Sequence, residues 1–243
     1  MHPVICTWGP FTIHSYGLML AAAFVAGSTL AAMQAKRQDL DPDIILNLSF
    51  IVVISGIIGA RIFYVATNLN DYLGNPLEII MLQHGGLSWF GGLILGTIAG
   101  ITYVKNKKLP LLKILDLMMP FVALAQAIGR VGCLLNGCCF GKVSQSGLYF
   151  PVHNQILVPT QLYSSLILIF IFIVLRILQE KPHKRGEIFF AYLTLYSLKR
   201  FFIEFWRADN PAVIFNLTLF QILSIALFCF ALLGLFLIKK SKS

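Results

Sequence analysis

Seven long apolar segments set the frame for this chain. They run roughly over Ile13–Ala35, Ile44–Thr67, Leu87–Val104, Leu111–Ile128, Thr160–Leu178, Glu187–Arg207 and Phe215–Ile238. An α-helix needs about 20 apolar residues to cross a hydrocarbon core. Lipid offers the backbone no hydrogen-bond partners, so such segments must satisfy their N–H and C=O groups internally, as helices. The expected fold is all-α: a polytopic membrane protein with about seven transmembrane helices and one membrane-embedded domain over residues 1–243. The third and fourth segments are short and marked by glycine or proline, so tilted or interrupted helices are expected there. Of the 243 residues, 58% are hydrophobic and 12% charged. A soluble domain carries about 25% charged residues, so no separate soluble domain fits.

The net charge of +9 does not call for nucleic acid. With the N-terminus outside and the C-terminus in the cytoplasm, most of the 19 basic residues fall in inner loops or at inner helix ends. They include Lys36, Arg37, Lys105, Lys107, Lys108, Lys184 and Lys239, which is the positive-inside pattern. Arg61, Arg130, Lys142, Lys199, Arg200 and Arg207 break that trend and sit in the outer half. A charge at the centre of a membrane helix costs roughly 2.5–3.5 kcal/mol on insertion scales. Repeating that cost on one side points to an anion site there.

The late segment holds Tyr196, Arg200, Glu204 and Arg207 at spacings that share one helix face. Glu204 can pair with Arg200 and with Arg207. A self-neutralising ladder is one reading. The other is that two arginines against one carboxylate leave positive charge for a phosphate, which guanidinium forks match well. The run Gly129-Arg130-Val131-Gly132-Cys133-Leu134-Leu135-Asn136-Gly137-Cys138-Cys139-Phe140-Gly141 suggests irregular backbone at the outer membrane edge, with close ligand approach to its glycines. A tight turn with a snorkelling Arg130 is the alternative. Gln83-His84-Gly85-Gly86-Leu87-Ser88 and the following Gly91-Gly92 supply paired glycines and a candidate base, His84. Gly59-Ala60-Arg61 and His14-Ser15-Tyr16-Gly17 add polar groups. Asp116 suits helix capping or packing as well as function. Cys133, Cys138 and Cys139 permit a disulfide. Their Cys-x4-Cys-Cys spacing is not a standard zinc pattern.

Taken in order, these blocks resemble the prolipoprotein diacylglyceryl transferase family. The resemblance rests on the Gly-Arg-x-Gly loop, the Gly-Gly-x-Ser-x-x-Gly-Gly segment, the Tyr-x3-Arg-x3-Glu-x2-Arg helix, and Pro159-Thr160-Gln161-Leu162-Tyr163. It implies transfer of the diacylglyceryl group of phosphatidylglycerol to the lipobox cysteine of a preprolipoprotein signal peptide. Glycerol phosphate would leave at the outer face of the bacterial cytoplasmic (inner) membrane. It implies Arg130 and Arg200 as the essential pair, with Tyr196 and His84 also expected in catalysis. Tyr16, Gly17, Arg61, Ser88, Asn136, Gly141, Gln161, Tyr163, Glu204 and Arg207 are the expected substrate-binding and supporting residues. Cys133, Cys138 and Phe90 stand where well-studied members have Asn, Glu and His, and that His has been proposed as the base.

No cofactor or metal is implied, and the expected partners are phosphatidylglycerol, the signal peptides and membrane lipid, not nucleic acid. An anionic-lipid or anion transporter would want basic groups along a path to the inner face. A thiol–disulfide enzyme would want a Cys-x-x-Cys pair. A relative with a different acceptor would keep the same arginines.

Overall fold

A computed structural model of the chain describes residues 1–8, 11–72, 74–81, 85–208 and 210–240, and of Phe11 the backbone alone. The helices are α1 (Ser15–Arg37), α2 (Pro42–Thr67), the short α3 (Leu69–Tyr72), α4 (Trp89–Asn106), α5 (Leu111–Asn136), α6 (Thr160–Glu180), α7 (Glu187–Glu204) and α8 (Leu219–Lys240), with a 3-10 turn over Pro76–Ile80. Each of the seven apolar segments therefore contains a long helix. Five of these, α1, α2, α5, α6 and α8, are long and apolar enough to cross a membrane. The glycines and polar end of α4 dilute its hydropathy, and the charged residues of α7 do the same.

Among the described residues, three two-stranded antiparallel hairpins accompany the helices: β1 (Val4–Trp8) with β2 (Phe11–His14), β3 (Val143–Phe150) with β4 (Gln155–Leu157), and β5 (Ala212–Ile214) with β6 (Leu217–Thr218). The all-α expectation had no place for them. Their strands are too short to register against the helical pattern, and each lies outside the long helices.

Two boundaries differ from the sequence reading in ways that bear on the site. Residues 129–136, expected as irregular loop, continue α5, so Arg130 and Cys133 stand on regular helix. The glycines there serve packing: a Cβ on Gly132 would meet the Met19 side chain of α1 at 2.9 Å. Helix α7 ends at Glu204, so Arg207 lies beyond it.

Two compact units are formed, residues 1–31 with 115–243 and residues 32–114. In the first, Ala123, Ala127, Leu168, Ile171, Leu175, Ile188 and Tyr192 form a core among α5, α6 and α7. Asp116 resolves as a cap, its carboxylate accepting from the Gly186 and Phe189 backbone N–H groups at the start of α7. In the second unit, α2 and α4 approach through glycines. A Cβ on Gly59 would meet the Gly91 carbonyl oxygen at 2.5 Å, and one on Gly92 the Gly56 oxygen at 3.1 Å. Small residues that let backbones approach are the usual basis of helix association in lipid, where there is no hydrophobic drive between helices. Only 17% of the most apolar window of α8 is buried within the protein, and Leu223, Phe230, Leu233 and Phe236 are exposed, as a lipid-facing helix requires.

Candidate active site

Glu204 ends α7 with its side chain fully buried. Its Oε2 lies 3.2 Å from Arg200 Nη2 and 3.7 Å from Arg207 Nε. Its Oε1 accepts from Asn210 Nδ2 at 2.6 Å and from Thr218 Oγ1 at 3.0 Å. A buried carboxylate is tolerable only when paired and hydrogen-bonded, and Glu204 is both. Oε2 nevertheless receives no hydrogen bond. The arginines face it as charges, without the aligned N–H···O geometry of a bidentate fork. The Arg200 guanidinium also lies over the Phe220 ring at 4.4 Å.

Arg207 reaches Glu204 from outside the helix. The chain turns at Phe205–Trp206, and Arg207 forms an isolated antiparallel bridge with Gly141. Lys142 N donates to the Trp206 carbonyl at 2.8 Å, and Gly141 N to the Val158 carbonyl at 2.9 Å. A Cβ on Gly141 would meet the Trp206 oxygen at 2.5 Å and Thr160 Cγ2 at 2.8 Å. Only glycine allows this crossing.

Arg130, on the last turns of α5, is partly buried. It lies within electrostatic range of Lys199, Arg200, Cys139 and Tyr16. Lys199, 5% exposed, sits with its Nζ 4.8 Å from the centre of the Tyr196 ring. Tyr196 in turn stacks on Tyr192 at 5.7 Å. Among the described residues, Arg130, Lys199 and Arg200 make no hydrogen bonds through their charged groups. Four cationic side chains thus lie within electrostatic range of one another, two of them beside the Glu204 carboxylate, and among the described residues Arg130, Lys199 and Arg200 hold unused donors. Positive charge is concentrated in a poorly solvated setting where charge interactions are strong.

Around it, Gln161 is 1% exposed and donates through Nε2 to the Cys138 carbonyl at 2.6 Å. Its Oε1 is buried without a hydrogen-bond partner. Asn136 is partly buried at the end of α5, and the Cys138 thiol donates to the Cys133 carbonyl at 3.7 Å. The neighbouring Cys133 and Cys138 thiols hold the Cys139 thiol below its ordinary range, helped by the positive charge of Arg207 and Arg130. Tyr16 and Tyr163 are exposed at 37% and 40%, and Gly17 has open space where a Cβ would stand.

The remaining expected residues fall in the other unit. Ser88 precedes α4, its N–H donating to the Ala60 carbonyl at 3.0 Å. Arg61 is 7% exposed. Its guanidinium donates to five carbonyls, those of Glu78, Ile79, Met81, Gly85 and Gly86, and lies over the Tyr72 ring at 5.5 Å. Phe90 is 40% exposed and packs edge-on against Trp89. His84 lies outside the described residues.

The family model for prolipoprotein diacylglyceryl transferase matches residues 3–237. The chain belongs to that family. Among curated members, the phosphatidylglycerol–prolipoprotein diacylglyceryl transferase of Clostridium tetani is 33% identical over 93% of this chain and 93% of its own length. That of Nostoc sp. is 35% identical over 96% and 88%, and that of Clostridioides difficile 38% identical over 80% and 79%.

For this member of the transferase family, the sequence reading missed three contributors to the site. Lys199 was read only as an outer basic residue, although its spacing of three from Tyr196 puts the two on one face. Asn210 and Thr218 carry no motif; the turn after α7 and hairpin β5–β6 bring them to Glu204.

Proposed function

We propose that this chain is a transferase that moves the diacylglyceryl group of phosphatidylglycerol to a prolipoprotein cysteine thiol. The thiol sulfur attacks the glycerol carbon that carries the phosphate ester. A C–S thioether forms, the C–O bond breaks, glycerol phosphate leaves with the bonding pair, and the thiol proton goes to a base or to water. The observation that carries this reading is the gathering of Arg130, Lys199 and Arg200, with donors to spare, beside the Glu204–Arg207 pair. Charge grows on the leaving phosphate oxygen as the C–O bond breaks. Donors already aimed there stabilise that charge without reorganisation, typically the largest single contribution to such a reaction.

In this reading Arg130 and Arg200 hold the phosphate and its leaving oxygen. Tyr196 and Lys199 flank them, and Glu204 keeps Arg200 and Arg207 in place. The positive field also favours the acceptor thiolate, which partly replaces the base that Phe90 cannot supply. His84 is the proposed assisting base. Tyr16, Gly17, Ser88, Asn136, Gly141, Gln161 and Tyr163 are proposed to bind or support substrate.

The proposed setting is the bacterial cytoplasmic membrane, spanned seven times, with the N-terminus and the site on the outer face and the acceptor a lipobox cysteine. The basic inner loops and the seven long helices support it. The test is lipidation of a lipobox peptide by the purified chain with labelled phosphatidylglycerol. Transfer of label to the cysteine thiol, with release of glycerol phosphate, is expected. Binding of the lipid without transfer would favour a transporter.

A further inference from the structure

Three thiols beside the arginine cluster take no part in the proposed transfer, which uses the substrate's own cysteine. Cys133 stands in the last turn of α5, and Cys138 and Cys139 follow the end of that helix. Their three sulfurs all lie within 4.8 Å of one another, and none is in a disulfide. Cys133 is buried and the other two partly so.

The backbone brings them together mainly through contacts other than those of the sulfurs, of which the Cys138 thiol donates to the Cys133 carbonyl at 3.7 Å. Gly137 and Cys139 take left-handed conformations, at φ +76° and +62°, which fold the chain back over the helix end. Gly137 N donates to Leu134 O at 3.2 Å and Cys138 N to Cys133 O at 3.1 Å. Three successive carbonyls are then anchored by polar side chains: Gly137 O by His153 Nε2 at 2.9 Å, Cys138 O by Gln161 Nε2 at 2.6 Å, and Cys139 O by Thr160 Oγ1 at 2.7 Å. A left-handed non-glycine residue such as Cys139 persists only where its surroundings over-determine it. The convergence of sulfurs is therefore built into the turn.

We propose that Cys133, Cys138 and Cys139 form a three-thiolate site for a thiophilic d10 metal ion, either Cu(I) in trigonal coordination or Zn(II) with a water as fourth ligand. Metal–sulfur bonds of about 2.3 Å place three ligating sulfurs roughly 4 Å apart, within the observed limit of 4.8 Å. Soft thiolates select these ions over hard ones. Binding forms three S–metal bonds and releases the thiol protons to solvent, with no change of oxidation state. The complex carries net negative charge, and Arg130 and Arg207, within electrostatic range of Cys139, offset it. The sequence pattern alone pointed away from a metal because the spacing is unusual; the helix end supplies the missing geometry. Bound there, the ion clips the α5 turn that carries Arg130 to the chain leading to Gly141.

The test uses the full chain in detergent, kept reduced, with Cys6 and Cys229 changed to serine. Zn(II) and Cu(I) are titrated against a competing chelator, and Cd(II) is used to read thiolate-to-metal charge transfer. One ion per chain is expected. Affinity should fall at least a hundredfold in Cys133→Ser, Cys138→Ser or Cys139→Ser. Mass spectrometry after alkylation should show all three thiols protected in the loaded protein, which keeps the test informative if a variant fails to fold. Failure to outcompete the chelator would overturn the proposal. So would binding that survives the triple serine change, or a disulfide between two of the three thiols in protein prepared without oxidant. None of these readouts depends on lipid transfer, so the transferase reading stands or falls separately.

Discussion

Arg61 and Arg200 are both arginines within apolar helices, and the protein treats them in opposite ways. Arg61 has five N–H groups and meets five backbone carbonyls. It ties down the segment from the 3-10 turn to the start of α4 and has no donor left over. Arg200 pairs with Glu204 by charge and lies on Phe220, yet among the described residues none of its guanidinium N–H groups is in a hydrogen bond. A saturated guanidinium organises the backbone around it, whereas an unsaturated one, among other cations, keeps donors that the proposed transfer would use on the phosphate. Both looked alike in the sequence, and both were expected to touch substrate.

The largest effect that sharpens this contrast is on turnover. Arg130→Ala and Arg200→Ala should each lower lipid transfer by a factor on the order of 10²–10³ or more, the scale of losing one well-placed oxyanion donor. Helical content and thermal stability in detergent should stay close to the parent's. Lysine at either position should recover little, because it lacks the planar fork. Normal lipidation rates in both alanine variants would dissolve the distinction.

Arg61→Ala should do the reverse. It leaves five carbonyls without their donor and should destabilise the protein by about 3 kcal/mol, the scale of breaking a buried hydrogen-bond network. Activity should fall in step with the folded fraction. A stable Arg61→Ala protein without turnover would make Arg61 a substrate residue after all.

Smaller losses are expected where the site is only supported. Glu204→Gln retains an acceptor for Asn210 and Thr218 but removes the charge facing Arg200 and Arg207. About a tenfold loss of turnover is expected, with a stronger salt dependence of phosphatidylglycerol binding as the freed arginines pair with the lipid phosphate. Gly141→Ala drives a Cβ against Trp206 and Thr160 and should displace Arg207. Both melting temperature and turnover should drop, with a stability cost of about 1–3 kcal/mol. Gly17→Ala should be the mildest change, within about 0.5 kcal/mol in stability, since nothing lies where its Cβ would stand. A large loss of turnover there would reveal close approach of substrate to the α1 backbone.

Helical class, the seven long segments and the Arg200–Glu204 pair were legible in the sequence because each is local. Hydropathy is averaged over one turn after another, and a spacing of four on a helix brings two side chains together whatever else the chain does. The family blocks were legible for the same reason, each being a short string. Only the tertiary structure decided the rest. It carried α5 past Gly129, because glycines that look like loop residues also let α1 come close. It ended α7 at Glu204 and brought Arg207 back through the Gly141 bridge. It gathered Arg130 and Lys199 near Arg200, saturated Arg61 with carbonyls, and converged three cysteines at a helix end. Each of these depends on groups from separate elements meeting, and whether a charged donor finds its partner at home or keeps it for a ligand is settled only by that meeting.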